Sequence, residues 1–245
     1  MTELDRSITD LHIGAWWRIG WTVTTLVLVE IVVCGLSAMP ILMLWSRLAR
    51  IAGASVRLQI VAFSGAIVPS YVIFAIMLLI VSPLLTRLAG WRTPVDTEMR
   101  IADMDWPLLN WVRYAASNHL VRVLAGTVFR GSPLWTAHLR LAGAKLGKRV
   151  YVNSLSINDY NLLEFGDDVV IGAGVHLSGH TVEGGIVKTA SVRLGRNTTV
   201  GVGSVIEIGV EAGPNCEIGA LSLVPKRTQL EAEAVYAGIP AKRIR

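Results

Sequence analysis

The residues best suited to chemistry lie close together, in Gly179-His180-Thr181-Val182-Glu183-Gly184-Gly185-Ile186-Val187-Lys188, which holds a histidine, an acid, a base and paired glycines. His180 is the candidate catalytic residue. An amine or hydroxyl attacking an activated carbonyl must lose its proton as the bond forms, and an imidazole titrating near neutrality is suited to take it. The competing reading is a histidine that caps a corner of the chain by hydrogen bonding. His176, four residues earlier, could orient a ligand or simply face solvent. Asp159 and Glu183 could orient the imidazole or hold an acceptor ammonium, and Lys188 could contact a phosphate. For each of the three the alternative is a solvated, turn or loop residue. No nucleophile–base dyad is evident. No metal site is expected, because a third ligand near His176 and His180 is lacking and Cys34 and Cys216 give neither zinc spacing nor a disulfide framework.

These residues are carried by a six-residue repeat. Aliphatic residues recur at Leu146 and Val152, then at Phe165, Ile171 and Leu177, then at Leu194, Val200, Ile206, Ala212, Ile218 and Val224, with Gly often following and a small or β-branched residue four positions on. Each such unit makes one flat face, and three faces make a coil of a parallel β-helix, with the aliphatic and the small residue pointing inward. A helix is excluded by the period, and a sandwich by the lack of two-residue alternation with clustered turns. The frame breaks twice. One extra residue enters between Val152 and Phe165, around Ile157-Asn158-Asp159-Tyr160-Asn161, and the step from Leu177 to Leu194 is seventeen rather than eighteen. The second break contains His180. Segments that leave a regular scaffold are where function tends to reside.

The N-terminal part is of another kind. Overall, 52% of the 245 residues are hydrophobic, 17% are charged and the mean hydropathy is +0.51, which argues against both a purely soluble globule and a disordered chain. The apolar runs 19–45 and 58–85 each exceed the roughly 20 residues needed to span a bilayer. Trp16, Trp17, Trp21, Trp45 and Trp91 sit near their ends, where amphipathic rings favour the headgroup zone. The expected organisation is a transmembrane hairpin over 1–90, an amphipathic connector over 91–140 and a β-helix domain over 141–245. In the connector, Leu109, Val112, Ala116, Leu120 and Val123 form a stripe at helical spacing with Arg113 and Arg122 off it. Glu30 is the one formal charge within the spans. It is either functional or a protonated carboxyl bonded to a Ser or Thr of the partner helix. The net charge of +5 divides as +4 over residues 1–140 (12 Arg, no Lys, 8 acids) and +1 over 141–245 (11 bases, 10 acids). The surplus is arginine beside the membrane segments, so the expected partner is lipid and not nucleic acid.

The coil region, with the ending Ala237-Gly238-Ile239-Pro240-Ala241-Lys242, resembles the hexapeptide-repeat acyltransferases. Asp159-Tyr160-Asn161-Leu162, Gly166-Asp167-Asp168 and the segment from Gly179 to Lys188 resemble the tandem terminal membrane domains of ε-poly-L-lysine synthase and related nonribosomal peptide synthetases, as do Phe129-Arg130-Gly131-Ser132-Pro133 and Leu139 to Gly147. The resemblance implies a left-handed parallel β-helix after the two-helix hairpin, a homotrimer, His180 as general base, and an acyl group carried as a phosphopantetheine thioester, on CoA or on a carrier protein, with no permanently bound cofactor. Lys188 would then be placed to contact pantetheine. Lacking adenylation and carrier domains, the chain would draw its substrate from such a protein in trans or from a simple CoA ester. The expected function is a membrane-anchored acyltransferase forming an amide. The alternatives are an acetyl-CoA-dependent acetyltransferase of a membrane-associated glycan or lipid, and a non-catalytic trimeric scaffold for a synthetase. Thioester donors are cytosolic, which places the β-helix on the cytoplasmic face of a multi-pass cell-membrane protein.

Overall fold

The computed structural model describes residues 3–53 and 55–245; residues 1, 2 and 54 of the expected hairpin region lie outside it. Two long helices come first, α1 (Glu3–Ala52) and α2 (Val56–Leu88). They are antiparallel neighbours joined by a tight connection, and both are long and apolar enough to cross a membrane. Prolines interrupt their hydrogen bonding at Pro40, Pro69 and Pro83. A proline within a helix deprives the carbonyl four residues earlier of its donor. For Pro83 that carbonyl belongs to Leu79, and the structure supplies a replacement, His138 Nδ1 at 2.9 Å.

The connector is more than an amphipathic helix. It opens with an edge strand, β1 (Glu98–Arg100), and continues as α3 (Trp106–Val121), a π-helical turn (Arg122–Gly126), the single turn α4 (Thr127–Phe129) and α5 (Pro133–Leu141). Three contacts show α3 running alongside the hairpin. Arg18 pairs with Asp105 at 3.0 Å, Ser82 meets Ser117 at 3.2 Å, and the Tyr71 hydroxyl donates to the Leu124 carbonyl at 2.8 Å. The expected apolar stripe is divided, with Leu109 buried and Ala116 and Leu120 half-buried. Val112 and Val123 are exposed, whereas Arg113, Tyr114, Ser117 and Asn118 are buried. Glu30 likewise has its carboxyl oxygens shielded, beside Ser117 of α3 and not against a Ser or Thr of α2.

The remainder is a three-faced parallel β-helix. The first coil has β2 (Lys145–Leu146) and β3 (Tyr151–Val152), and Ile157 forms a lone bridge on the third face. The second has β4 (Leu163–Phe165), β5 (Val170–Ile171) and β6 (His176–Leu177). A hairpin, β7 (His180–Glu183) and β8 (Ile186–Thr189), then leaves the coil, and β1 pairs antiparallel with β8 at its outer edge. Regular coils follow through β9 (Val192–Leu194), β10 (Thr199–Val200), β11 (Val205–Ile206), β12 (Glu211–Ala212), β13 (Glu217–Ile218), β14 (Leu223–Val224), β15 (Gln229–Leu230) and β16 (Val235–Gly238), closed by the antiparallel β17 (Ala241–Arg243).

Register follows the repeat. Leu194 pairs with Ala212 and Ala212 with Leu230, each eighteen residues on, and the predicted aliphatic positions from Val152 to Val224 are buried. Between coils the corner glycines lie against backbone. A Cβ on Gly201 would meet the Ala220 backbone, so the stacking distance demands glycine there. Two proposed inward positions differ: Ser156 is exposed, with Ser154 buried in its stead, and Thr181 belongs to the hairpin.

Candidate functional site

The two frame breaks turn out to be the same corner in successive coils. The step of seventeen is a regular step of six with the eleven-residue hairpin segment inserted. In the coil beneath, the third-face rung is Ile157, five residues after Val152, and it pairs in parallel with Leu177. Eight residues then lead to Phe165, including the 3₁₀ turn Tyr160–Leu162. Asp159 and His180 therefore leave the scaffold at stacked positions. Their side chains meet with Asp159 Oδ2 to His180 Nδ1 at 2.5 Å.

The carboxylate of Asp159 is almost wholly buried (5% exposed) and its four remaining contacts are all donors. Oδ1 accepts from Thr93 Oγ1 at 2.8 Å and from Trp111 Nε1 at 3.1 Å. Oδ2 accepts from the Gly179 backbone N–H at 3.1 Å and from Ser178 Oγ at 3.5 Å. Its backbone sits in the left-handed region (φ 52), which Asp tolerates better than most residues and which turns the side chain back under the corner. Asn161 fixes the donor strand: Thr93 N–H donates to Asn161 Oδ1 at 3.1 Å and Asn161 Nδ2 donates to Thr93 O at 2.8 Å.

An acceptor-only carboxylate at that distance requires the proton of a neutral imidazole on Nδ1, which leaves the Nε2 lone pair for a reactant. The ring is held from the side by Trp111, edge to face at 4.9 Å between centroids. His180 is about one-quarter exposed and lines a cleft of about 140 Å³ with His176, Ser178, Val205, Glu207 and Lys226. His176 also borders a larger cleft of about 580 Å³, whose wall includes His119, Arg122 and Asn158. Desolvation, then His180 and Arg122, lowers the His176 pKa, so this ring is neutral at pH 7. Arg122 Nη1 ties the irregular corner together, donating to the Ile157 carbonyl at 3.1 Å and to Asn158 Oδ1 at 2.7 Å.

The structure thus brings Asp159, His176 and His180 to one place and leaves Glu183 and Lys188 out of the cleft lining. Glu183 pairs with Lys226, whose side chain does line the cleft, and lies 3.7 Å from Lys188. The Lys226 contact holds the Glu183 carboxyl below its usual range. Lys188 is a strand residue, not a loop residue, and also faces Glu98 at 3.8 Å. Among the described residues no cluster of three or more His, Cys, Asp or Glu could hold a metal. Sequence reasoning missed Thr93, Trp111, Ser178 and Lys226. Thr93 and Trp111 come from the connector, and nothing in their spacing relates them to Asp159.

The fold and the site define a parallel β-helix of hexapeptide type that carries a buried Asp–His pair at a stacked corner, with two long apolar helices before it. No family model matches the chain. It is 28% identical over 161 residues to delta-poly-L-ornithine synthetase of Acinetobacter baumannii, covering 64% of this chain and 12% of that protein. It is 35% identical over 108 residues to galactoside O-acetyltransferase of Escherichia coli, covering 41% of this chain and 52% of that enzyme. The chain thus spans about half the length of one curated relative and about an eighth of the other. A galactoside acetyltransferase structure in complex with coenzyme A matches 61% of this chain and 86% of its own at 22% identity, with a TM-score of 0.45.

Proposed function

We propose that the chain is a membrane-anchored acyltransferase that forms an amide from a pantetheine thioester and an amine. The observation that carries this reading is the Asp159–His180 pair, with Nδ1 engaged and the imidazole facing a cleft. In the reaction the amine nitrogen attacks the thioester carbonyl while Nε2 of His180 takes its proton. The tetrahedral oxyanion collapses, the carbon–sulfur bond breaks, and the thiolate leaves and regains a proton. Asp159 keeps the ring oriented and stabilises the imidazolium formed on the way. His176 flanks the reacting centre. Glu183 and Lys188 act only indirectly, through Lys226 and the hairpin.

Support for acyl transfer comes from the two relatives, one named as an O-acetyltransferase and the other as a synthetase of poly-L-ornithine. An amide-forming and an acetyl-CoA-dependent O-acylating enzyme fit the same dyad, so the donor decides between them. Purified chain offered an aminoacyl-loaded carrier protein with an amine should release amide, and with His180→Ala it should not. Turnover from acetyl-CoA to a sugar or lipid hydroxyl alone would favour the second reading. No acyl transfer from either donor, together with stable co-purification with a synthetase, would favour the scaffold role, and activity retained in His180→Ala would remove His180 as the base.

Membrane anchoring is supported by the helices themselves. Trp16, Val27, Ile31, Leu42, Ile60 and Val68, all within the two long apolar helices, are exposed, as side chains facing lipid would be. We read the coil as left-handed and cytoplasmic and the assembly as a homotrimer, with a carrier protein or CoA presenting the donor. A homotrimer would show a single species of three times the chain mass by light scattering in detergent.

A further inference from the structure

Arg113 is a cation for which the protein provides no counter-charge. It is 4% exposed and lies between two indoles, its guanidinium carbon 5.7 Å from the Trp91 ring centre and 5.6 Å from that of Trp106. Nη1 donates to Asn110 Oδ1 at 2.8 Å, but Nε and Nη2 have no partner among the described residues. A guanidinium stays charged at any pH the fold survives, and an uncompensated buried charge is costly.

The surroundings are built for an anion. Trp106 and Asn110 line a cleft of about 700 Å³ together with Arg92, Thr93, Lys145 and Asn161. Trp91 lines an adjoining cleft of about 350 Å³, which shares Arg92 and Asn161 and adds Arg87. Arg92 is exposed and has no ion-pair partner among the described residues. Of the acids on the flanking segments, Asp105 pairs with Arg18, Glu164 with Lys145 and Glu98 with Lys188, while Asp96 and Asp103 are exposed to solvent and line neither cleft. The clefts lie where α2 ends, on the far side of Thr93 from the Asp–His pair.

We propose that these joined clefts bind a phosphate group, as the headgroup of an anionic lipid or as a free phosphate ester. Arg92 contacts the anion directly, and Arg113, held behind the lining by Trp91, Trp106 and Asn110, supplies field without contact. The larger cleft shares Thr93 with the Asp159 corner, but its test reads binding alone and does not depend on the acyl-transfer reading. The full chain in an uncharged detergent is titrated with inorganic phosphate and, separately, with soluble short-chain phosphatidic acid, and thermal unfolding is compared with sodium chloride at equal ionic strength. At least one ligand should raise the midpoint. A response to phosphatidic acid alone assigns a lipid headgroup, and a response to both assigns the phosphate itself. Arg92→Ala, which removes an exposed side chain with no other role, should raise the half-saturating concentration about ten-fold, the equivalent of one charge-assisted hydrogen bond. Arg113→Gln should abolish the response; if that variant does not fold, Arg92→Ala still decides. No shift beyond chloride with either ligand, or an unchanged titration in Arg92→Ala, overturns the proposal.

Discussion

The regular coils from Leu194 to Tyr236 and the broken corner at Asp159 and His180 are built from the same repeat and do opposite things with it. In the regular coils, every rung stacks on one eighteen residues away, the inward residues are apolar or small, and the buried Ser204 hydroxyl is satisfied by the Gly219 carbonyl at 2.8 Å. At the corner, the chain shortens one rung, lengthens the next turn and inserts a hairpin, and the freed space holds a buried carboxylate with five polar contacts. Regularity yields a stable stack with little room for reactants. A buried acid is tolerable only where donors converge on it; Ser178, Gly179 and His180 supply three from the corner itself, and Thr93 and Trp111 are recruited from outside the coil.

The contrast predicts opposite consequences of substitution. His180→Ala should lower turnover by about 10²–10⁴-fold, the usual contribution of a positioned base, with an unchanged circular dichroism spectrum. A variant active within a few-fold would remove the corner from the chemistry. Ile218→Ala, in the regular stack and 2% exposed, should destabilise the fold by about 2–5 kcal/mol and leave the activity of the folded fraction intact. Denaturant unfolding followed by tryptophan fluorescence reads the first quantity, and activity per folded molecule the second.

The stack was legible in the sequence because its physics is local. Leu194, Val200, Ile206 and Ala212 announce their burial by spacing alone, and the break at His180 announces itself as a lapse in that spacing. The partnership of Asp159 with His180 was legible only in part. Both were visible as residues in breaks, but their contact depends on Ile157 pairing with Leu177, and Ile157 stands one residue short of the frame. The eleven-residue insertion was hidden for a similar reason, since six and eleven sum to one less than a full coil. The α3 stripe left two readings open, a helix on the membrane surface or one packed under the next domain, because periodicity identifies a face without saying which solvent it meets. Here Val112 and Val123 face outward and Ser117 and Asn118 inward. Thr93 and Trp111 could not have been found, since a donor to a carboxylate distant in sequence has no spacing of its own.

Between the corner and the helices lies a third environment, whose expected effect is smaller. His138 sits against Trp135 and Tyr160, 1% exposed, and burial pushes its pKa down to about 4 despite the Leu79 carbonyl that accepts from Nδ1. Its ordinary value is 6.5. Above that pH the ring is neutral in both folded and unfolded chains and stability is unaffected. As pH falls from 6.5 toward 4, the unfolded chain binds a proton that the folded chain does not, and stability should decline by about 1.4 kcal/mol per pH unit until the folded pKa is passed. Unfolding midpoints measured across that window should show this slope in the parent and a shallower one in His138→Gln. Equal slopes would mean that the interior at α5 is wetter than its packing implies.

The smallest effect tests how far the connector governs the corner. Thr93→Val removes one donor from Asp159 Oδ1 and keeps the side chain's volume, leaving Trp111 Nε1 as the other donor to that oxygen. A hydrogen bond to a charged group contributes about 1.5–3 kcal/mol when lost outright, and less where a second donor remains. Turnover should fall only several-fold. The more telling readout is coupling. Thr93→Val should cost turnover in the parent and nothing further in an Asp159→Asn background. Equal losses in both backgrounds would make Thr93 a packing residue. A loss confined to the parent would make the segment after α2 part of the machinery, so that a change in how the helices sit is felt at the base through two side chains, Thr93 and Trp111.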